Sequence, residues 1–218
     1  KATLTFTPPA ADDWVIFGFA EYKSSSTSYS ALLRMQVDGV DEGAVTVEPT
    51  VAADYKTFAA VKVANLSAAS HTIKIDYASE NAAATVYIRN ARVVAVRKAA
   101  LEVSSGAADS TVALTTTLTN YVTLNFTPAT AGDYLLIWSA ETSSNTGYST
   151  SVEARYNGIL YDSSLVETKD NTDYYTFMSF AMATCPTSVQ TVTVAAAKET
   201  GSTATHNIRR ARAVAIRL

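Results

Sequence analysis

The stretch "IRNARVVAVRK" (residues 88–98) returns as "IRRARAVAIRL" (residues 208–218), 120 positions later. So close a recurrence in one chain means that a structural unit is written twice, and self-similarity is sought along the rest of the sequence. "LTFTPPAADDWVIFGFAE" (residues 4–21) lies over "LNFTPATAGDYLLIWSAE" (residues 124–141). Downstream, "QVDGV" from Gln36 meets "RYNGI" from Arg155, "DYKTF" from Asp54 meets "DYYTF" from Asp173, and "HTIKI" from His71 meets "QTVTV" from Gln190. The chain reads as two tandem copies of one domain, residues 1–98 and 110–218, with a linker at 99–109.

The apolar period is two. Leu33, Met35 and Val37 alternate with Arg34 and Gln36, and Val152, Ala154 and Tyr156 alternate with Glu153 and Arg155. Such alternation marks strands with one wet face. Asp38-Gly39 and Asn157-Gly158 sit between alternating runs and signal tight hairpins. "WVIFGFA" (residues 14–20) and "YLLIWSA" (residues 134–140) are apolar on both faces and read as central strands. No stretch offers a capped amphipathic helix. First-copy strands are predicted near residues 2–7, 13–21, 30–37, 40–48, 55–64, 71–79 and 85–97. The expected fold is all-β: two tandem antiparallel β-sandwich, jelly-roll-like domains related by internal duplication.

One asymmetry stands out. "DSTVALTTTLTN" (residues 109–120) reads as an extra strand before the second copy, and nothing equivalent precedes the first. The first copy is therefore expected to lack an edge strand, which is absent, lost from this chain, or supplied by a neighbouring molecule; strand donation or edge pairing between molecules is the reading carried forward. Lys1 is not a natural initiator, so the chain is expected to be processed or part of something longer.

Of the 218 residues, 48% are hydrophobic and 17% charged, and the net charge is −3. That balance gives no long-range attraction to nucleic acid or to an anionic membrane. No apolar run approaches the roughly 20 residues of a membrane helix, so insertion is not expected. The single cysteine, Cys185, excludes an intramolecular disulfide and takes the place of Leu66, which reads as a small core position.

Chemistry is sparse. His71 and His206 are not repeated between the copies, lack ligand spacing and read as surface or edge polar residues. Glu21/Glu141 and Asp54/Asp173 recur in both copies, and a glycosidase would need two such groups about 5–10 Å apart. The aspartates stand just before strands, where they ordinarily make turns. The glutamates end central strands and call for cations: Glu21 with Arg92 or Arg89, and Glu141 likewise with Arg212 or Arg209, a structural ion-pair reading preferred over catalysis. No catalytic residue, metal site, cofactor or nucleic-acid surface is assigned. Tyr29/Tyr148 and Tyr55/Tyr174 recur, with Tyr175 beside them, and are the candidate contacts for a ligand or protein partner. Asn65-Leu66-Ser67 matches a glycosylation pattern, although Leu66 is expected to be buried.

"LSAASHTIKIDYASE" (residues 66–80) and "IRNARVVAVRK", with "DYLLIWSAET", "DYYTF" and "IRRARAVAIRL" in the second copy, resemble a β-sandwich repeat of bacteriophage virion proteins and of large microbial surface or secreted proteins. No catalytic motif travels with the resemblance. It implies a non-enzymatic role at a virion or extracellular surface: capsid or tail decoration, a fibre or filament subunit, or a surface appendage. The partners expected are further copies of the chain or other structural proteins of the same assembly. The alternative is a pair of carbohydrate-binding modules mediating adhesion, with the loop tyrosines stacking on sugars.

Overall fold

Alternating runs become strands close to where the sequence places them. The structure, a computed structural model, describes residues 1–48, 55–98, 103–144, 147–168 and 173–218. The first half holds β1 (Ala2–Phe6), β2 (Asp12–Ser24), β3 (Ala31–Val37), β4 (Val40–Val47), β5 (Lys56–Leu66), β6 (His71–Ser79) and β7 (Val86–Arg97). The second holds β8 (Val103–Ala108), β9 (Val112–Ala113), β10 (Thr119–Phe126), β11 (Gly132–Ser143), β12 (Thr150–Tyr156), β13 (Ile159–Val166), β14 (Tyr175–Cys185), β15 (Gln190–Lys198) and β16 (Asn207–Arg217). Every strand pairing is antiparallel.

Each half is two sheets packed face to face. The first runs β1-β6-β3-β4 against β5-β2-β7; the second runs β10-β15-β12-β13 against β14-β11-β16-β8, with β9 also on β16. The inward residues of each strand fill the gap. Ile16, Leu33, Met35, Phe58, Ile73 and Ile75 lead one core; Tyr134, Leu136, Trp138, Val152, Val192 and Val194 lead the other. The hairpins close as their sequences require: Asp38 (φ 51°) with Gly39 (φ 84°), and Asn157 (φ 49°) with Gly158 (φ 79°), take the left-handed pair of a type I′ turn.

A third core explains why the central strands are apolar on both sides. Val15 and Val61, on the outer face of β5-β2-β7, pack against Ile137, Val214 and Ile216 on the outer face of β14-β11-β16-β8. The molecule is thus a stack of four sheet layers with three apolar seams.

Two expectations need correction. The span 99–109 is not simply a linker, because its residues 103–108 form β8, paired with β16 from Ile216↔Val103 to Ala211↔Ala108. The extra strand therefore precedes its expected span: within residues 109–120 only β9 and the start of β10 are strand. Small side chains are what the slot requires, since a Cβ on Gly106 would stand 3.2 Å from Val122. The matching edge of β7 has no strand partner among the described residues.

Candidate functional site at the seam between the halves

A slip in register builds the site. Ser139 faces Arg212 and Glu141 faces Arg209, so Arg210 and Ala211 share one place opposite Ala140. Arg210 takes φ 47° at this bulge, a costly conformation for a residue with a long side chain and one that points to a local role. The bulge gathers two guanidinium groups on one carboxylate. Arg209 Nε donates to Glu141 Oε2 at 2.6 Å, and Arg210 Nη1 reaches both carboxylate oxygens at 3.1 and 3.3 Å. Arg209 also stacks 3.6 Å above the ring centre of Tyr174.

The last donor comes from the other half. Ala44 of β4 donates its backbone N–H to Glu141 Oε1 at 2.5 Å. Tyr174 N–H donates to the Thr46 carbonyl at 2.7 Å, and Glu48 N–H donates to Asp173 Oδ2 at 3.1 Å. β4 is a sheet edge, with β3 on its other side. Its open backbone groups, which would otherwise recruit foreign strands, are taken up by the second half. Glu141 is only 4% exposed, and it is matched by charge and by hydrogen bonds, as a buried carboxylate must be. Tyr175 packs on the first half's core; burial, then the Asp173 charge, pushes its phenol up to about 12.

The first half builds the same device and leaves it open. Arg89 Nε donates to Glu21 Oε2 at 2.6 Å, Asn90 Nδ2 donates to the same oxygen at 2.9 Å, and Arg89 stacks 3.7 Å over Tyr55. The same register slip occurs, with Asn90 at φ 52°. The bonds from Arg89 and Asn90 hold the Glu21 carboxyl below its ordinary range. The Arg89 side chain is 54% exposed, against 23% for Arg209.

Of the two arginines expected for each glutamate, the bulge seats Arg89 and Arg209 and turns away Arg92 and Arg212. Arg92 is exposed opposite Phe19 and does not meet Glu21. Regular pairing from there would set Asn90 opposite Glu21, and the extra residue sets Arg89 there instead. Arg212 in turn binds Asp109 and the Ala211 carbonyl, not Glu141. The tyrosines are not open platforms either. Tyr174 is 8% exposed, Tyr175 lies in the seam, Tyr55 lies under Arg89, and Tyr29 and Tyr148 are half-buried in loops. Asp54 lies outside the described residues.

His206 is also corrected: it is fully buried, with Thr150 Oγ1 2.9 Å from Nδ1 and Ser202 Oγ 2.9 Å from Nε2. Burial, helped by Lys198, pushes it below the ordinary histidine value. His71 sits 2.6 Å from Asp38, whose bond raises it. Cys185 is buried and accepts a hydrogen bond from Tyr156 OH at 3.3 Å.

Sequence reasoning missed the open cleft beside the seam, about 590 Å³, lined by Arg34, Asp41, Asp76, Tyr77, Arg209 and Arg210 among others. The one trace in the sequence was Arg210 standing where the first copy has Asn90. No known family model matches the chain, and no curated protein matches it.

Proposed function

We propose that the chain is a non-enzymatic structural protein that works by assembly at an extracellular or virion surface, as a capsid or tail decoration or as a fibre or filament subunit. The observation that carries this reading is the repeated grip. Glu141, Arg209 and Tyr174 hold a sheet edge of the chain's own first half. Glu21, Arg89 and Tyr55 repeat the device on an exposed surface. A side-chain set that elsewhere holds an edge strand, left open, is equipped to hold another. The edge of β7, which has no strand partner among the described residues, adds a second place where a strand could join. Electron microscopy of the native material tests the reading: filaments, rings or decorated particles support it, and dispersed single molecules count against it.

Glycan binding is a second reading, favoured by the cleft. Tyr77 is 44% exposed there, beside Arg34, Asp41 and Asp76, a mixture of aromatic surface and polar groups suited to a sugar. A glycan array that shows binding lost on Tyr77→Ala supports it, and binding indifferent to that change sinks it.

A further inference from the structure

The two halves differ at one sheet edge. In the second half β8 lies along β16, with Ala108 opposite Ala211, Gly106 opposite Ala213 and Ser104 opposite Ala215. Gly106 faces Val122 and Leu124 of β10, and Ala108 packs on the same core. Just past the end of β8, Asp109 accepts a hydrogen bond from Arg212 Nη2. In the first half β7 stands where β16 stands and carries the same register slip. Its edge therefore presents backbone groups along the same path. Among the described residues no strand lies on that edge.

The first half is shaped for the strand it lacks. Leu124, Phe126, Ile208, Ala211, Ala213 and Ala215 are each 7% exposed or less. At the same places in the first half, Leu4, Phe6, Ile88, Ala91, Val93 and Ala95 pack on the core but stay only partly buried. The slot keeps its width: Val93 for Ala213 adds two methyl groups to one wall, and Ala2 for Val122 removes two from the other. Arg92, in the place of Arg212, is exposed and has no charged partner among the described residues. A free edge, a half-covered apolar row beside it and an unmatched cation are together what removing a strand of the β8 kind would leave.

Resting on the assembly reading, we propose that the edge of β7 accepts an extended segment of another molecule in the assembly, antiparallel, with small side chains at alternate positions and a carboxylate that meets Arg92. The pattern is that of "VSSGAAD" (residues 103–109). The chain's own copy of it does not serve, because it is held on β16 and Arg212. Backbone hydrogen bonds along β7 supply the affinity, as in strand addition to any open sheet edge, and the side-chain positions supply the selectivity. A large side chain in the place of Gly106 would run into Leu4, as it would into Leu124 in the second half. The carboxylate fixes the register, since a slip of one residue turns it away from Arg92.

A fluorescent peptide of residues 101–109, titrated onto the full chain and followed by anisotropy, tests the slot. It is expected to bind saturably, one to one, and to slow hydrogen exchange at the amides of β7 but not of β16. Gly106→Trp in the peptide is expected to weaken binding about 10-fold or more by overpacking. Arg92→Asp in the chain is expected to weaken it about 5-fold, the scale of an exposed ion pair, and Asp109→Arg in the peptide to restore it. Arg92 is exposed, so the variant keeps its fold, checked by circular dichroism. No binding, or binding indifferent to both changes, overturns the slot and leaves the assembly reading standing. Hydrogen exchange on native material locates the donor. Amides of β7 that are protected there and open in the purified chain support donation by another molecule; equal protection in both overturns it. Native material that is dispersed, beside a peptide that binds as expected, overturns the assembly reading and leaves the slot.

Discussion

Glu141 and Glu21 are one residue type in one local geometry, yet they differ in burial, and that difference sets their energetics. Glu141 neutralises two arginines and accepts a backbone N–H inside the seam. Glu141→Gln leaves those half-buried cations without a countercharge, so a loss of about 2–3 kcal/mol is expected in denaturant unfolding. Glu21→Gln removes a solvent-screened pair, so the unfolding midpoint should barely move. The histidines give a second contrast, in opposite directions. His71, raised by Asp38, adds stability that is whole below its unfolded value, about 6.5, and is lost as pH climbs through the raised folded value. His206, lowered by burial, refuses a proton that the unfolded chain accepts, so its stabilisation fades as pH falls from about 6.5 toward the lowered value. Between pH 8 and 5.5, the stability gap between wild type and His71→Asn should therefore widen as pH falls. The gap for His206→Asn should narrow. Midpoints that move in parallel would refute the assignment.

At the scale of elements, the strands were legible because alternation survives wherever one face is wet, as in Leu33, Met35 and Val37. The bulges were not legible, because a left-handed Arg210 carries no local sign and a slip of one residue changes which arginine meets Glu141. β8 was hidden for the opposite reason: its small residues look like a linker, and smallness is what lets it lie against Val122 and Leu124. β4 shows how tightly an edge strand is seated. A Cβ on Gly43 would stand 2.6 Å from Ala60 Cβ, with the Glu141 carboxylate 3.8 Å away. Gly43→Ala is expected to cost about 1–3 kcal/mol by overpacking and to loosen β4 from the seam, which should appear as faster hydrogen exchange at the Ala44 amide. Asp162→Ala, at the exposed equivalent position, should leave stability unchanged.

At the scale of the molecule, the seam decides whether two sandwiches behave as one body. Interfaces between domains of one chain are commonly small and polar, which permits relative motion. This one has an apolar centre of Val15, Val61, Ile137, Val214 and Ile216, each 5% exposed or less, and edge-strand hydrogen bonds at its rim. Unfolding either half would expose that centre on the other, so the halves should melt together. The sequence carried a trace of this in two central strands apolar on both faces, but nothing in either half's sequence says which strands of its neighbour the second face meets. Each half nonetheless has its own core, so breaking the seam should separate the halves without destroying them. Ile137→Asp places a charge at the centre of the joint, on the face of β11 turned away from the second half's core. Calorimetry of the wild-type chain, at concentrations where it is dispersed, is expected to show one transition whose van't Hoff and calorimetric enthalpies agree. The variant is expected to show two transitions, the earlier one below the wild-type midpoint. Two transitions in the wild type, or one unshifted transition in the variant, would show that the seam does not couple the halves.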